Sequence, residues 1–504
     1  MSNIKYLLIV LNLCCIINLH AQQIAPKARP NVLLIVADDM NWDSPECFGG
    51  KTQGLTPNID KLAGEGMRFW HAYVNISICT PSRSVILSGQ YPQNNGAEGF
   101  QRIKSETPTL PALLNKRGYL CGIVGKPLRQ QELFRWSVTY RWQGTGDEGL
   151  WGRDPAVYRK FAKDFFAMAK TSKQPFFLMA NSHDPHSPFG GGKATKKYQE
   201  RVAASKTFTA QEVVLPPLLS ELPALKESYA DYCTSVRRFD DMVGAVLDEL
   251  QQSGFAENTI VVFMSDHGMP FPGAKFNCYV DSLRTPLIIK WPSKIKANVI
   301  DKTHMISAID LQPTILDMLG LSAAGTEDGR SFWPLLQGQN QADRAAIFGQ
   351  FYHIHGADAL PMRSVITQKG CYVFNPWSDG KRQFNRLGGA MKAMQEAEKD
   401  DPEMAKYIQH MLYRSVEEYF DLTTDPNCRK NLIAEDLSDG QKIELESLRS
   451  KLREWMVQIE DPALMAYDSK TTEALETFIQ NYRDAAAKDV QALKEYEKEQ
   501  GYRF

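Results

Sequence analysis

The stretch with the most evident chemical capacity is Cys79-Thr80-Pro81-Ser82-Arg83, continuing into Ser84-Val85-Ile86-Leu87-Ser88-Gly89. Proline is tolerated in a first helical turn, where its missing N–H leaves no hydrogen bond unmade. The spacing therefore predicts a helix that begins at the cysteine. Arg83 comes four residues after Cys79, so one turn brings its guanidinium back over the cysteine. A reactive group and a fixed cation then share a helix N-terminus, where backbone N–H groups and the dipole favour an oxyanion.

Two acidic pairs supply a second kind of chemistry. Asp38-Asp39 follows the apolar run Asn31 to Ala37, and Asp266-His267 follows Thr259 to Ser265. Three carboxylates and an imidazole suit a hard divalent cation, Ca²⁺ in the first place and Mg²⁺ as the alternative. Either pair alone would read as a helix cap or turn. Lys126 follows a third apolar run, Cys121 to Val124, and His183-Asp184-Pro185-His186 follows a fourth, Phe176 to Ala180. His186 and His183 are the general-acid candidates. Lys275, nine residues after Asp266, is a candidate cation for an anionic substrate.

These residues need elements to bring them together. Continuous apolar runs mark strands buried on both faces, and Pro286 to Lys290 is another. Amphipathic stretches at Asn58–Gly66, Thr109–Arg117, Tyr158–Ala169 and Glu227–Ser253 alternate with them. The pattern predicts an α/β fold, a large mainly parallel sheet sandwiched by helices. In such sheets ligands bind at the carboxyl ends of strands, where Asp38, Asp39, Lys126, His183, His186, Asp266 and His267 all fall. From Ala345 the pattern changes to short strands at Ile347–Phe351, Arg363–Thr367, Cys371–Phe374 and Glu418–Leu422, then a charged helical tail. The expected organisation is a signal peptide over 1–21, a catalytic domain over 22–344, and a smaller α+β subdomain over 345–504 with an antiparallel sheet.

The 504 residues are 43% hydrophobic and carry a net charge of −1, so no global field points to nucleic acid or an anionic membrane. Lys5, the apolar stretch Tyr6–Leu19 and Leu19-His20-Ala21 read as a secretory signal, predicting a periplasmic or secreted protein with no membrane span. Outside that signal seven cysteines remain, and their spacing decides no pairing.

Together with Thr56 to Ala63, Ile309 to Thr314, Asp328 to Phe332 and Tyr419 to Leu422, these motifs resemble the formylglycine-dependent sulfatases of the alkaline phosphatase superfamily. Gly268-Met269-Pro270-Phe271-Pro272, Tyr279 and Pro361 to Val365 are similar to the heparan N-sulfatase (sulfamidase) group, as is Arg453-Glu454-Trp455 leading to Asp461-Pro462. The resemblance implies that a maturation enzyme oxidises Cys79 to formylglycine, whose hydrate attacks sulfur. Asp38, Asp39, Asp266, His267 and the modified Cys79 would hold calcium. Arg83 would hold the hydrate, Lys126 and Lys275 the sulfate oxygens, and His186, with His183, the leaving group. His353, His355 and Arg363 are candidates for the sugar pocket, with surface histidines as the alternative for the first two.

One position departs from the family. Many sulfatases have a histidine two residues after this lysine, assigned to release of the sulfated intermediate. Here Lys126 is followed by Pro127, Leu128 and Arg129, and no histidine lies between His71 and His183. The implied substrate is a sulfated carbohydrate cut at chain ends, with glucosamine N-sulfate and O-sulfated algal polysaccharides such as ulvan both open. A phosphatase or phosphonate hydrolase on the same scaffold, and a non-catalytic glycan-binding protein, are the competing readings.

Overall fold

The run Asn31-Val32-Leu33-Leu34-Ile35-Val36-Ala37-Asp38 forms strand β1, every residue of it buried. Burying such a strand on both faces contributes about 1.5–3 kcal/mol per large aliphatic side chain, which makes it the natural centre of the core. In the computed structural model, which describes residues 29–126, 131–140, 152–190, 202–354, 359–385 and 390–499, β1 pairs in parallel with β5 (Phe176–Pro185) on one side and β6 (Thr259–Ser265) on the other. The expected signal peptide, Pro127-Leu128-Arg129 and His355 lie outside the described residues.

The remaining strands are β2 (Met67–Tyr73), β3 (Leu120–Gly125), β4 (Val138–Tyr140), β7 (Leu287–Lys290) and β8 (Val299–Ser307). They complete a sheet of order β4-β3-β5-β1-β6-β7-β2-β8. Only β7 runs antiparallel to its neighbours β6 and β2. The expected mainly parallel sheet is therefore present, and helices cover it. Among them α1 (Pro57–Glu65), α3 (Pro155–Ser172) and α4 (Pro223–Gln252) pack together with β3, β5 and β7, while α2 (Cys79–Ser88) contacts the helices at Leu110–Lys116 and Leu311–Met318.

Strands β2, β4 and β8 were not foreseen. The first half of β8 carries Asp301-Lys302-Thr303-His304 and is largely exposed, as suits a charged edge strand. Strand β2 mixes buried and half-buried positions, with Arg68, Trp70 and His71 breaking its apolar run.

A second sheet, β12-β11-β10-β9, is antiparallel throughout, as the sequence predicts. Its strands are β9 (Ile347–Phe351), β10 (Met362–Ile366), β11 (Gly370–Phe374) and β12 (Glu417–Asp421). Helices α5 (Asp439–Gln458) and α6 (Thr472–Glu499) form most of the tail. The sheet docks where it matters: Gln350 donates its N–H to the carbonyl of Asn75, 2.7 Å away, and so braces the segment that leads into Cys79. No helix among the described residues is long and apolar enough to cross a membrane.

Candidate active site

Helix α2 begins at Cys79, after an extended Ile78, and all ten of its residues are buried. Its position is fixed from two sides. Ser77 Oγ donates to the carbonyl of Asn277 (2.6 Å), and Ser82 Oγ donates to the carbonyl of Asp266 (2.6 Å). Cys79 is 5% exposed.

The ends of β1 and β6 bring the acids to this helix. Parallel registry sets Ala37 opposite Ser265, so Asp38-Asp39 and Asp266-His267 leave the sheet side by side. Asp39 has a left-handed backbone (φ 70), a conformation that aspartate adopts more readily than most residues, and its N–H donates to Asp266 Oδ1 at 3.1 Å. One ligand atom from each of Asp39, Cys79 and His267 lies within 4.8 Å of the others, and the same holds for Asp38, Cys79 and Asp266.

The donor set fits a divalent cation. Nδ1 of His267 lies 3.0 Å from the carbonyl of Gly268, which makes that nitrogen a donor and turns Nε2 to the acids. Nε2 is buried with no hydrogen-bond partner and points at carboxylates, 3.3 Å from Asp39 Oδ1 and 3.7 Å from Asp266 Oδ1. Burial alone would depress the basicity of this imidazole, but Asp266 and Asp39 outweigh it and lift its pKa to about 9, so Nε2 carries a proton near neutral pH that a bound cation would displace. The three carboxylates and Nε2 form one buried group of donor atoms beside Cys79.

Three fixed cations surround it. Arg83 donates from Nε (3.0 Å) and Nη2 (2.9 Å) to Asp266 Oδ2, while its Nη1 is buried without an acceptor. Lys126 Nζ lies 2.6 and 2.5 Å from the two oxygens of Asp38, and Lys275 Nζ lies 2.7 Å from both oxygens of Asp39. Burial would raise the Asp38 carboxyl, yet Lys126, His186, Arg83 and Lys275 together hold it well below the usual carboxylate range. Lys126 is aimed by its own backbone, which exchanges hydrogen bonds with Asn181 after Gly125. Gly125 has φ 91, and a Cβ there would lie 1.8 Å from the Asn181 carbonyl oxygen, so only glycine fits.

The structure carries β5 through to Pro185, so His183 belongs to the strand rather than to the loop expected after Ala180. A register shift pairs Asp38 with Pro185, which sets His186 beside the acids, its Nε2 3.8 Å from Asp39 Oδ2. Burial, aided by Lys275 and Lys126 and opposed by Asp39 and Asp38, lowers the pKa of His186 and makes its protonated form a stronger acid. Burial and then Lys126 push His183 down to about 3, so it remains a neutral imidazole.

Two sugar-pocket candidates are corrected. Arg363 is fully buried: Nε and Nη2 meet Asp461 at 2.5 and 3.0 Å, and Nη1 donates to the Met362 carbonyl. Every nitrogen is engaged, so Arg363 ties β10 to the segment after α5 instead of facing a sugar. His353 is 2% exposed with its ring against Gly99, which closes it to solvent as well.

The sequence reading missed Arg153 and Arg238. Both converge on the buried Asp184: Arg153 Nη1 donates to Oδ1, and Arg238 donates from Nε at 2.6 Å and Nη2 at 2.8 Å. Arg153 Nη2 also donates to the His186 carbonyl at 2.9 Å. The pair clamps the turn that carries His186. Nothing local in the sequence marks them, because Arg238 sits mid-helix in α4 where an arginine usually faces water. The seven cysteines from Cys47 to Cys428 are all unpaired.

Comparison with known proteins bears on this site as a whole. The sulfatase family model matches residues 30–321, and that of the N-sulphoglucosamine sulphohydrolase C-terminal region matches 274–374. The chain is 28% identical to human N-sulphoglucosamine sulphohydrolase, covering 93% of this chain and 96% of that protein. It is 27% identical to an ulvan-active sulfatase of Formosa agariphila, covering 88% and 77%. Among solved structures, one determined in complex with its substrate D-glucosamine-2-N,6-O-disulfate superposes with a TM-score of 0.63 at 20% identity, covering 86% of this chain and 98% of that one. The sulfatase match takes in more than half of the 504 residues and contains Asp38, Cys79, Arg83, Lys126, Asp266 and Lys275. The chain with this buried cluster of carboxylates, cations and cysteine belongs to the sulfatase family, hydrolases that cleave sulfate esters or sulfamates.

Proposed function

We propose that this sulfatase is an exported, formylglycine-dependent enzyme that removes sulfate from the terminal residue of a sulfated carbohydrate. The observation that carries the reading is the meeting, at Cys79, of three buried carboxylates and Nε2 of His267, with Arg83 one helical turn along carrying an unpartnered Nη1.

Formylglycine made from Cys79 by a maturation enzyme would, as its gem-diol hydrate, supply the nucleophilic hydroxyl, and the second hydroxyl would expel sulfate and restore the aldehyde. Asp38, Asp39, Asp266 and His267 would hold a divalent cation, calcium in the first place, which would supply Lewis-acid polarisation when bound. The chain's own residues do the rest. Arg83, whose buried Nη1 has no acceptor, keeps a donor free for the nucleophile. Lys126 and Lys275 bring positive charge to the sulfate oxygens, electrostatic stabilisation of the kind that usually dominates such reactions. Protonated His186 delivers a proton to the departing sugar oxygen or amine. His183, neutral beside Lys126, supports the leaving group as a hydrogen-bonding partner.

Two substrates have support. Glucosamine N-sulfate from heparan-type chains is favoured by the sulphohydrolase C-terminal match and by the human relative. O-sulfated algal polysaccharide is favoured by the Formosa relative. A panel of N-sulfated and O-sulfated oligosaccharides, read by released sulfate, separates them. Release from the N-sulfated members alone supports the sulfamidase reading. Release from ulvan oligosaccharides alone overturns it, and no release from any sulfated sugar overturns the carbohydrate sulfatase itself.

A further inference from the structure

Between Phe271 and Arg284 one residue is not buried, and it is Phe276. Its neighbours build the active-site wall: Lys275 is paired with Asp39, Asn277 accepts from Ser77, and Cys278 is fully buried. Phe276 also has a left-handed backbone, φ 64. Asparagine, aspartate and glycine tolerate that region, whereas a bulky aromatic residue in it is an outlier that persists only where the surroundings impose it. The surroundings here are explicit. The Phe276 N–H donates to the Ser77 carbonyl (3.3 Å), two residues before Cys79, so the turn is pinned to the strand entering α2.

The ring projects from this rigid point, packed against the core on one side yet only half-buried. It lies beside the catalytic cation, with Lys275 Nζ 4.9 Å from the ring centroid. A sulfate held by Lys275 puts the sugar that bears it within reach of this ring. Pyranose rings present an apolar C–H face, and aromatic side chains are the usual partners of such surfaces in ligand pockets.

We propose that Phe276 is the platform on which the sulfated sugar ring stacks. The proposal rests on the reading of Lys275 as a sulfate-binding cation, and it deepens that reading by naming the residue that recognises the carbohydrate instead of the sulfate. A substrate with an equatorially substituted, open C–H face follows, and inorganic sulfate, which has no ring, is indifferent to Phe276.

The test is calorimetric binding of glucosamine N-sulfate, glucose 6-sulfate and inorganic sulfate to the full chain carrying Cys79→Ala, which has no nucleophile and binds without turnover. Phe276→Gly and Phe276→Trp are each added to that background. Phe276→Gly is expected to weaken sugar binding roughly three- to tenfold, the range of an aromatic contact, while leaving inorganic sulfate unchanged. Because glycine accepts φ 64 without strain, that relief offsets part of the packing lost with the half-buried ring, and the melting temperature is expected to fall only slightly. Phe276→Trp keeps an aromatic face and is expected to retain sugar affinity. Unchanged sugar affinity in Phe276→Gly, absence of sugar binding in every variant, or equal losses for sugar and inorganic sulfate overturns the proposal. Failure of the underlying enzyme reading shows separately, as absence of sulfate release by the unsubstituted, matured protein.

Discussion

Arg83 and Asp266 lie 183 residues apart in sequence and meet at 2.9–3.0 Å, with Nε and Nη2 both aimed at one carboxylate oxygen. The pairing orients the guanidinium so that Nη1 is left over, buried and without an acceptor. A buried donor of that kind is costly unless a ligand satisfies it. The relationship ties the cluster of acids to the helix that begins at Cys79 through one side chain.

Replacing Arg83 tests that link. Arg83→Lys keeps a charge but loses the planar fork, so it is expected to lower kcat by roughly 10²–10³, the loss seen when an oxyanion donor is removed. Arg83→Ala also leaves Asp266 buried without its partner, a loss of about 3–5 kcal/mol. Steady-state kinetics and thermal melting separate the two effects, and a fully active Arg83→Lys enzyme would contradict the assignment.

Metal removal gives a second expectation. Dialysis against a chelator is expected to abolish sulfate release and lower the melting temperature, and calcium is expected to restore both, because a ligand that binds only the folded state stabilises it. His267→Ala is expected to weaken the calcium-induced rise in melting temperature. Full activity in chelator contradicts the metal assignment.

The clamp on His186 predicts a selective defect. Arg153→Lys is expected to lower kcat about tenfold with little change in KM, because the His186 carbonyl loses its Nη2 contact while the charge on Asp184 stays balanced. Asp184→Asn leaves Arg153 and Arg238 short of countercharge and is expected to destabilise the fold as well. Kinetics of the two variants beside their melting curves distinguish positioning from simple loss of stability.

A pH-dependent stability term resides at Glu98, which accepts a hydrogen bond from Tyr482 of α6 (3.0 Å). Burial raises its pKa from 4.5 to about 7, against the opposing influence of Arg363 and Tyr482. The folded state thus holds this proton more tightly than the unfolded chain. Stability from the group is full below about pH 4.5 and declines as the pH rises through 7. Glu98→Gln is expected to flatten that decline in melting temperature between pH 4.5 and 7, and an unchanged slope would contradict it.

Much of the site is legible in the sequence because of how a parallel sheet is built. Each buried strand announces itself as an apolar run, and the first polar residues after it fall at one edge of the sheet. Asp38, Asp39, Asp266, His267 and Lys126 are all residues of that kind, and the structure brings them together around Cys79. Partners set by tertiary packing leave no such mark. Arg363 sits in a strand beside sugar-pocket candidates, yet its partner Asp461 lies 98 residues away, and only the folded chain shows the pair buried. Arg238 reads as a surface charge on an amphipathic helix until β5 delivers Asp184 to it. The left-handed turn at Phe276 has no signal either, because the local sequence there would suit an extended backbone equally well.

The central claim is that Cys79 becomes the nucleophile of a sulfate-releasing enzyme, and the direct measurement is mass spectrometry of the Cys79 peptide. It is made on active protein produced together with a formylglycine-generating enzyme. The account predicts the aldehyde in place of the thiol at position 79, in a fraction that tracks specific sulfate-releasing activity across preparations. Preparations that release sulfate while the peptide carries only unmodified cysteine would contradict it.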